Sequence, residues 1–251
     1  MQYPVFVSWV LLLSLKRPPE PRPTVEDVEI VNCQGSGIDV RTGNSGDGNA
    51  IVFEPIFSGV SIMSCNVSGM TMTYCADDAL YSVNVENCSN DGIRYYGGNG
   101  KWTDVHVYDN RVGIRIGGQP LRLVSCSLDT NKLQGAIVEN FDKNISPGKV
   151  IFDAILAQGN GREASDPLDA CAIQLLGSDA VVQNLIVINK PGMDWQKYSI
   201  VEKGSADGNA VIDFGVDPMI AQHCVLIGQH TTLNMTAVPD LPGQSGGGGG
   251  I

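Results

Sequence analysis

Charge is scarce in this chain. Only 17% of its 251 residues are charged, and cations are the scarcer sign, 16 against 27. A formal net charge of -11 leaves no basic stripe to neutralise phosphates, which argues against nucleic acid as a partner and against an anionic membrane surface. Aromatic residues are few, at 6%. The seven cysteines (Cys33, Cys65, Cys75, Cys88, Cys126, Cys171 and Cys224) include no CxxC pair and no Cys/His spacing suited to zinc. Their odd count leaves at least one thiol free or shared between chains. The N-terminal apolar run from Val5 to Leu15 covers about 11 residues, where a bilayer span needs roughly 20. Lys16, Arg17 and a Pro-rich stretch to Pro23 follow it instead of a cleavage site, so it reads as a cap, a first strand or a signal-like segment. Apolar spacing of 3.6 is missing too, which excludes helical repeats.

What the chain does have is glycine, 30 residues, mixed with Asn, Asp and Ser between short Val/Ile runs. That mixture indicates many turns and many short strands. A line of residues recurs. Val25-x-x-Val28-x-Ile30 leads to Asn32-Cys33 and Gly37-Ile38-Asp39-Val40. Phe57-x-x-Val60-x-Ile62 leads to Ser64-Cys65 and Gly69-Met70-Thr71-Met72. Leu80-x-x-Val83-x-Val85 leads to Asn87-Cys88 and Gly92-Ile93-Arg94-Tyr95, and Trp102-x-x-Val105-x-Val107 to Asp109-Asn110 and Gly113-Ile114-Arg115-Ile116. The glycines step by 32, 23 and 21 residues, the first step holding an insertion from Gly43 to Pro55. Weaker copies follow, one running from Leu121 through Ser125-Cys126 to Gly135, and the pattern fades near Phe214.

Such a unit cannot bury its own apolar face and must stack on its neighbours. Runs of three to five residues with period-2 alternation make that stack a coil of short parallel strands, about 4.8 Å apart. Two columns are expected inside: Val28, Val60, Val83 and Val105, and Ile38, Met70, Ile93 and Ile114. Cys33, Cys65 and Cys88 share one place in the repeat, which favours packed thiols over a disulfide framework. Asn32, Asn87 and Asn110 are expected to form a hydrogen-bonded ladder at the bend.

The line V-x-I/V-x-N-C…G-I-x-V resembles the pectin-lyase-like superfamily. The resemblance covers roughly Val25 to Phe214 and implies an all-β, right-handed single-stranded parallel β-helix. It also implies an extracellular or virion-surface setting and work on polysaccharides: binding, lyase or hydrolase chemistry, or a non-catalytic adhesin or tail-fibre role. The expected organisation is an N-terminal segment 1–23, the β-helix 24–215, an extension 216–238 and a flexible Gly-rich tail 239–251. A homotrimer is a further expectation from tailspike-type relatives.

β-Helix enzymes use one outward strand column as a sugar-binding surface. By alternation that column is Asp39, Thr71, Arg94 and Arg115, with Arg41, Thr73 and Tyr96 as a second tier. Arginine forks receive carboxylates, and a tyrosine ring offers a stacking face. Asp77-Asp78 is a second candidate, because paired carboxylates serve as acid and base once their environments differ. Polygalacturonases are similar in carrying an Asp-Asp pair, but their Gly-His-Gly and Arg-Ile-Lys are replaced here by Asn90-Asp91-Gly92 and Arg115-Ile116-Gly117. Asp39, Asp91 and Asp109 are the residues on offer for a calcium ion. His106 is expected to point outward between Asn84 and Arg122. The Asn-x-Ser/Thr sequons at Asn66, Asn87, Asn144 and Asn234 arise readily in a turn-rich chain.

Overall fold

The computed structural model describes residues 11–13, 22–41, 52–117, 120–139, 150–176, 178, 180–188, 195–205, 208–212 and 222–224. The described chain winds into a coil with two long sheets. One contains Ile38–Val40, Met70–Ala76, Asp91–Gly98, Val112–Gly117, Ala136–Glu139 and Cys171–Leu176, each parallel to the next. The other is built from strands such as Ala79–Glu86 and Gly100–Tyr108, again in parallel register. Within the N-terminal apolar stretch, Leu11–Leu13 adds a strand beside Ile38–Val40.

Three columns of left-handed residues bend the coil, the third of them in three turns only among the described residues. Asp27, Gly59, Ser82, Asp104, Ser125, Ala154 and Asn184 break the second sheet lengthwise into two legs. Asn32, Ser64, Asn87, Asp109, Thr130 and Gly159 form the second corner, and Glu54, Asp77 and Asn99 the third. Most are Asp, Asn, Ser or Gly, the polar and small types that adopt positive φ at least cost. The turn chemistry of the sequence is therefore the chemistry of these corners.

Alternation between corners fills the core. Ile38, Met70, Ile93 and Ile114 are fully buried in one column, and Val60, Val83 and Val105 in another. Each such side chain contributes about 1.5–3 kcal/mol on leaving water. Val28 is only partly buried, packed against the core at its N-terminal end. The glycines entering the first sheet are required by close stacking: a Cβ on Gly113 meets the Gly135 carbonyl oxygen at 2.2 Å, and one on Gly69 meets that of Gly92 at 2.8 Å.

Four expectations need correction. Asn32 and Asn87 hold the left-handed corner and are exposed, outside the buried ladder, although Asn87 Nδ2 does donate to the equivalent Ser64 Oγ of the preceding turn at 3.2 Å. The ladder occupies the next position, where Cys33, Cys65 and Cys88 give way to Asn110, Asn131 and Asn160. Asn110 Oδ1 accepts from Cys88 N (2.9 Å), Asn131 Oδ1 from Asn110 N (3.2 Å) and Asn160 Oδ1 from Asn131 N (3.1 Å). Gln196 Oε1 closes the series by accepting from Asn160 N at 3.2 Å. Cys126 follows the Ser125 corner and so shares the Val105 column, not that of Cys88; the counterpart of Asn87-Cys88 is Thr130-Asn131. His106 is exposed between Asn84 and Ser127, while Arg122 pairs with Lys101. Finally, the last pairings turn antiparallel, Tyr198–Ser205 with Gly208–Ile212 and Leu185–Ile188 with Gln222–Cys224.

Cys33, Cys65, Cys75, Cys88, Cys126 and Cys171 are buried free thiols. No helix among the described residues is long and apolar enough to cross a membrane. Most of segments 1–23 and 216–238, the tail 239–251, most of the 43–55 insertion, Asn144, His230 and Asn234 lie outside the described residues.

Candidate saccharide-binding face

The outward column of the first sheet is in register as Asp39, Thr71, Arg94 and Arg115, and it continues through Ile137 and Gln174. Thr73 pairs with Tyr96 in the second tier. One position past the Tyr95–Ile116 pair stands Gly117, and Glu139 is its neighbour on the following turn. Glu139 thus joins the second tier two turns from Tyr96.

These side chains meet. Asp91, at the start of the Arg94 strand, is fully buried; its Oδ2 accepts from Arg94 Nε at 2.7 Å and from Arg115 Nε at 3.2 Å. Arg115 Nη1 donates to Glu139 Oε2 at 3.0 Å, and the Tyr96 hydroxyl donates to Glu139 Oε1 at 3.0 Å. Burial opposes the Arg115 charge, but Asp91 and Glu139 outweigh it and hold the guanidinium above its ordinary range. Burial and the adjacent Glu139 push the Tyr96 phenol up to about 12, so it stays a hydrogen-bond donor at neutral pH. At the other end, Arg41 is ion-paired with the largely buried Asp39, and Thr71 lies 3.4 Å from the Ser36 hydroxyl.

A strap bounds the face on the C-terminal side. Asp166 caps a short 3-10 turn, Pro167–Asp169, by accepting from Leu168 N. Gln174 donates to Leu168 O (3.2 Å) and to Asp169 Oδ1 (2.9 Å), and Lys203 donates to Asp169 and Asp166 at 2.7 and 2.9 Å. The column is therefore covered at Gln174 and open at Arg94, whose side chain is 34% exposed.

Asp77 and Asp78 do not act as a pair. Asp77 sits in the left-handed corner and is exposed, whereas Asp78 turns into the core at 1% exposure. There Asp78 accepts from the Tyr95 hydroxyl (2.7 Å) and from Trp102 Nε1 (2.8 Å). The two rings meet edge to face with centroids 5.1 Å apart. Burial raises the Asp78 pKa, and the Trp102 and Tyr95 hydrogen bonds offset part of that rise. The sequence reading paired the two carboxylates as acid and base; the corner instead sends the second one into the core.

Calcium does not fit the three acids that the sequence offered for it. Asp39 is held by Arg41, Asp91 by Arg94 and Arg115, and Asp109 by Arg162 at 2.8 Å, each in a different place. Among the described residues no group of three or more His, Cys, Asp or Glu converges as a metal site. Of the residues in the charge network, Glu139 alone was absent from the sequence-based candidates. Its signal was the place it shares with Tyr96 after a weak Gly135-Ala136-Ile137-Val138 copy.

The sequence family described as right handed beta helix region matches residues 19–150. No curated protein matches the chain by sequence. Among solved structures, the enzymatically active domain of tailspike protein 2 from bacteriophage CBA120 is 15% identical with a TM-score of 0.60. The match covers 76% of this chain and 29% of that one. Pectate lyase Pel9A is 14% identical with a TM-score of 0.51, over 75% of this chain and 50% of the lyase. The chain thus spans less than a third of the tailspike domain and half of the lyase, and at these identities the likeness is one of fold.

Proposed function

This chain belongs to the right-handed β-helix family, and on that premise we propose that it binds a carboxylated polysaccharide along the Asp39–Thr71–Arg94–Arg115 column. The observation that carries the reading is the convergence of Arg94 and Arg115 on the buried Asp91. A guanidinium anchored through Nε has its fork fixed in direction, so less side-chain entropy is lost when a ligand carboxylate arrives. Tyr96, fixed by Glu139, sets an aromatic ring beside that fork, the kind of surface on which a sugar ring stacks. The strap at Gln174 gives the bound chain an end wall.

We place this work outside the cell or on a virion surface, in keeping with the tailspike and pectate lyase among the structures of similar fold. Cleavage of the bound chain is the finer form of the proposal. Among the described residues Glu139 is our candidate carboxylate for that step, and the burial of Asp78 argues against it. The test is incubation of the full chain with a panel of acidic and neutral polysaccharides. Binding, ultraviolet absorbance of unsaturated ends and release of reducing ends are followed together. Saturable binding to a carboxylated member is the expected result. Binding without either product leaves a non-catalytic adhesin or tail-fibre role, and absence of binding across the panel contradicts the proposal.

A further inference from the structure

Among the described residues of the Asp39–Arg115 column and its second tier, the charges cancel. Three guanidiniums, Arg41, Arg94 and Arg115, are matched by three carboxylates, Asp39, Asp91 and Glu139. The three cations are not equivalent. Arg115 donates through Nε to Asp91 and through Nη1 to Glu139, and its side chain is 20% exposed. Arg41 holds Asp39 through a terminal nitrogen, Nη2. Among the described residues the Arg94 side chain is hydrogen-bonded through Nε alone and is 34% exposed, which leaves its terminal nitrogens available to a ligand. Asp39 lies two turns to one side of Arg94 and Glu139 two turns to the other. At about 4.8 Å per turn that is roughly 10 Å, close to the screening length of physiological salt.

Resting on the saccharide reading above, we infer that the face selects a polysaccharide in which one carboxylate, received by Arg94, is flanked by neutral sugars. It discriminates against polyuronates that carry an acid on every sugar. A single carboxylate at Arg94 gains a charge-assisted fork without disturbing any existing pair. A chain with an acid on each sugar must also aim carboxylates toward Asp39 and Glu139, whose own cations are already engaged. Like charges so juxtaposed select against the ligand. At longer range the net charge of -11 repels a dense polyanion and leaves a sparsely charged one nearly unaffected. Arg115 is then a positioning residue: it holds Asp91 in place so that the Arg94 fork points outward.

The experiment holds the sugar backbone constant and varies its charge. Polygalacturonate and alginate are each prepared native, partly carboxyl-reduced and fully reduced, and each form is titrated onto the full chain by calorimetry. The partly reduced form of the backbone that binds is expected to bind best, about tenfold tighter than either extreme, the size of one charge-assisted contact. In Arg94→Gln, with the thermal midpoint retained, the partly and fully reduced forms are expected to bind alike. Tightest binding to a native polyuronate overturns the inference, as does a preference for the partly reduced form that survives Arg94→Gln. Absence of binding to every form of both backbones removes the saccharide reading itself and this inference with it.

Discussion

Asp78 is a carboxylate whose burial favours its neutral form. Protonated on Oδ1, it donates to the Tyr95 oxygen, whose own O–H then turns away, while Oδ2 still accepts from Trp102. Its folded-state pKa is raised above the ordinary 3.8. Its contribution to stability is therefore fully present below that value and is lost as pH climbs toward the folded pKa. Asp78→Asn offers the same donor and acceptor without a charge. Denaturant unfolding of this variant is expected to match or exceed the parent near neutral pH, with the gap closing as pH falls toward 4. Asp78→Ala strands the Trp102 N–H and the Tyr95 hydroxyl and is expected to cost about 2–4 kcal/mol. Parallel stability curves for parent and Asp78→Asn would show that the carboxyl does not titrate as described.

The same residue shows where reading the sequence breaks down. Counting every second position as inward assumes an uninterrupted strand. A left-handed residue such as Asp77 resets that count, which is why Asp78 faces the core and Asn87 the solvent. Between corners the count holds, and the Ile38–Met70–Ile93–Ile114 and Asp39–Thr71–Arg94–Arg115 columns were both legible from it. Glu139 was harder to see, because its copy of the repeat has lost the Val-x-Ile lead and only stacking shows that it meets Arg115.

At the level of the repeated elements, stability rests on two continuous columns. Asn131 donates to Val107 O at 3.1 Å and to Asn160 Oδ1 at 3.0 Å and accepts from Asn110 N, so Asn131→Ala removes three buried hydrogen bonds. A loss of about 2–4 kcal/mol is expected in chemical unfolding, against about 1 kcal/mol for Asn87→Ala, which loses a favourable corner residue and one exposed hydrogen bond to Ser64 Oγ. Equal losses at the two positions would place Asn87 back in the ladder. Gly113→Ala forces a methyl group against the Gly135 carbonyl, so the strands on either side must part. It is expected to cost about 3 kcal/mol or more, at the upper end of overpacking changes, and circular dichroism with thermal melting reads it directly. The corner glycine Gly59 tolerates Asn better than Ala for a different reason, its positive φ of 62°.

For the whole molecule, one sheet carries a charge-balanced, strap-bounded face while the opposite sheet carries separate ion pairs such as Arg122 with Asp153. On the function proposed above, saccharide recognition belongs to the first sheet and turns on Arg94. Affinity for the best-bound polysaccharide, measured side by side in the parent, Arg94→Ala and Arg122→Ala at matched thermal midpoints, tests it most directly. A loss of about tenfold or more is expected for Arg94→Ala and none for Arg122→Ala. Equal affinities in all three proteins, or a loss confined to Arg122→Ala, would contradict it.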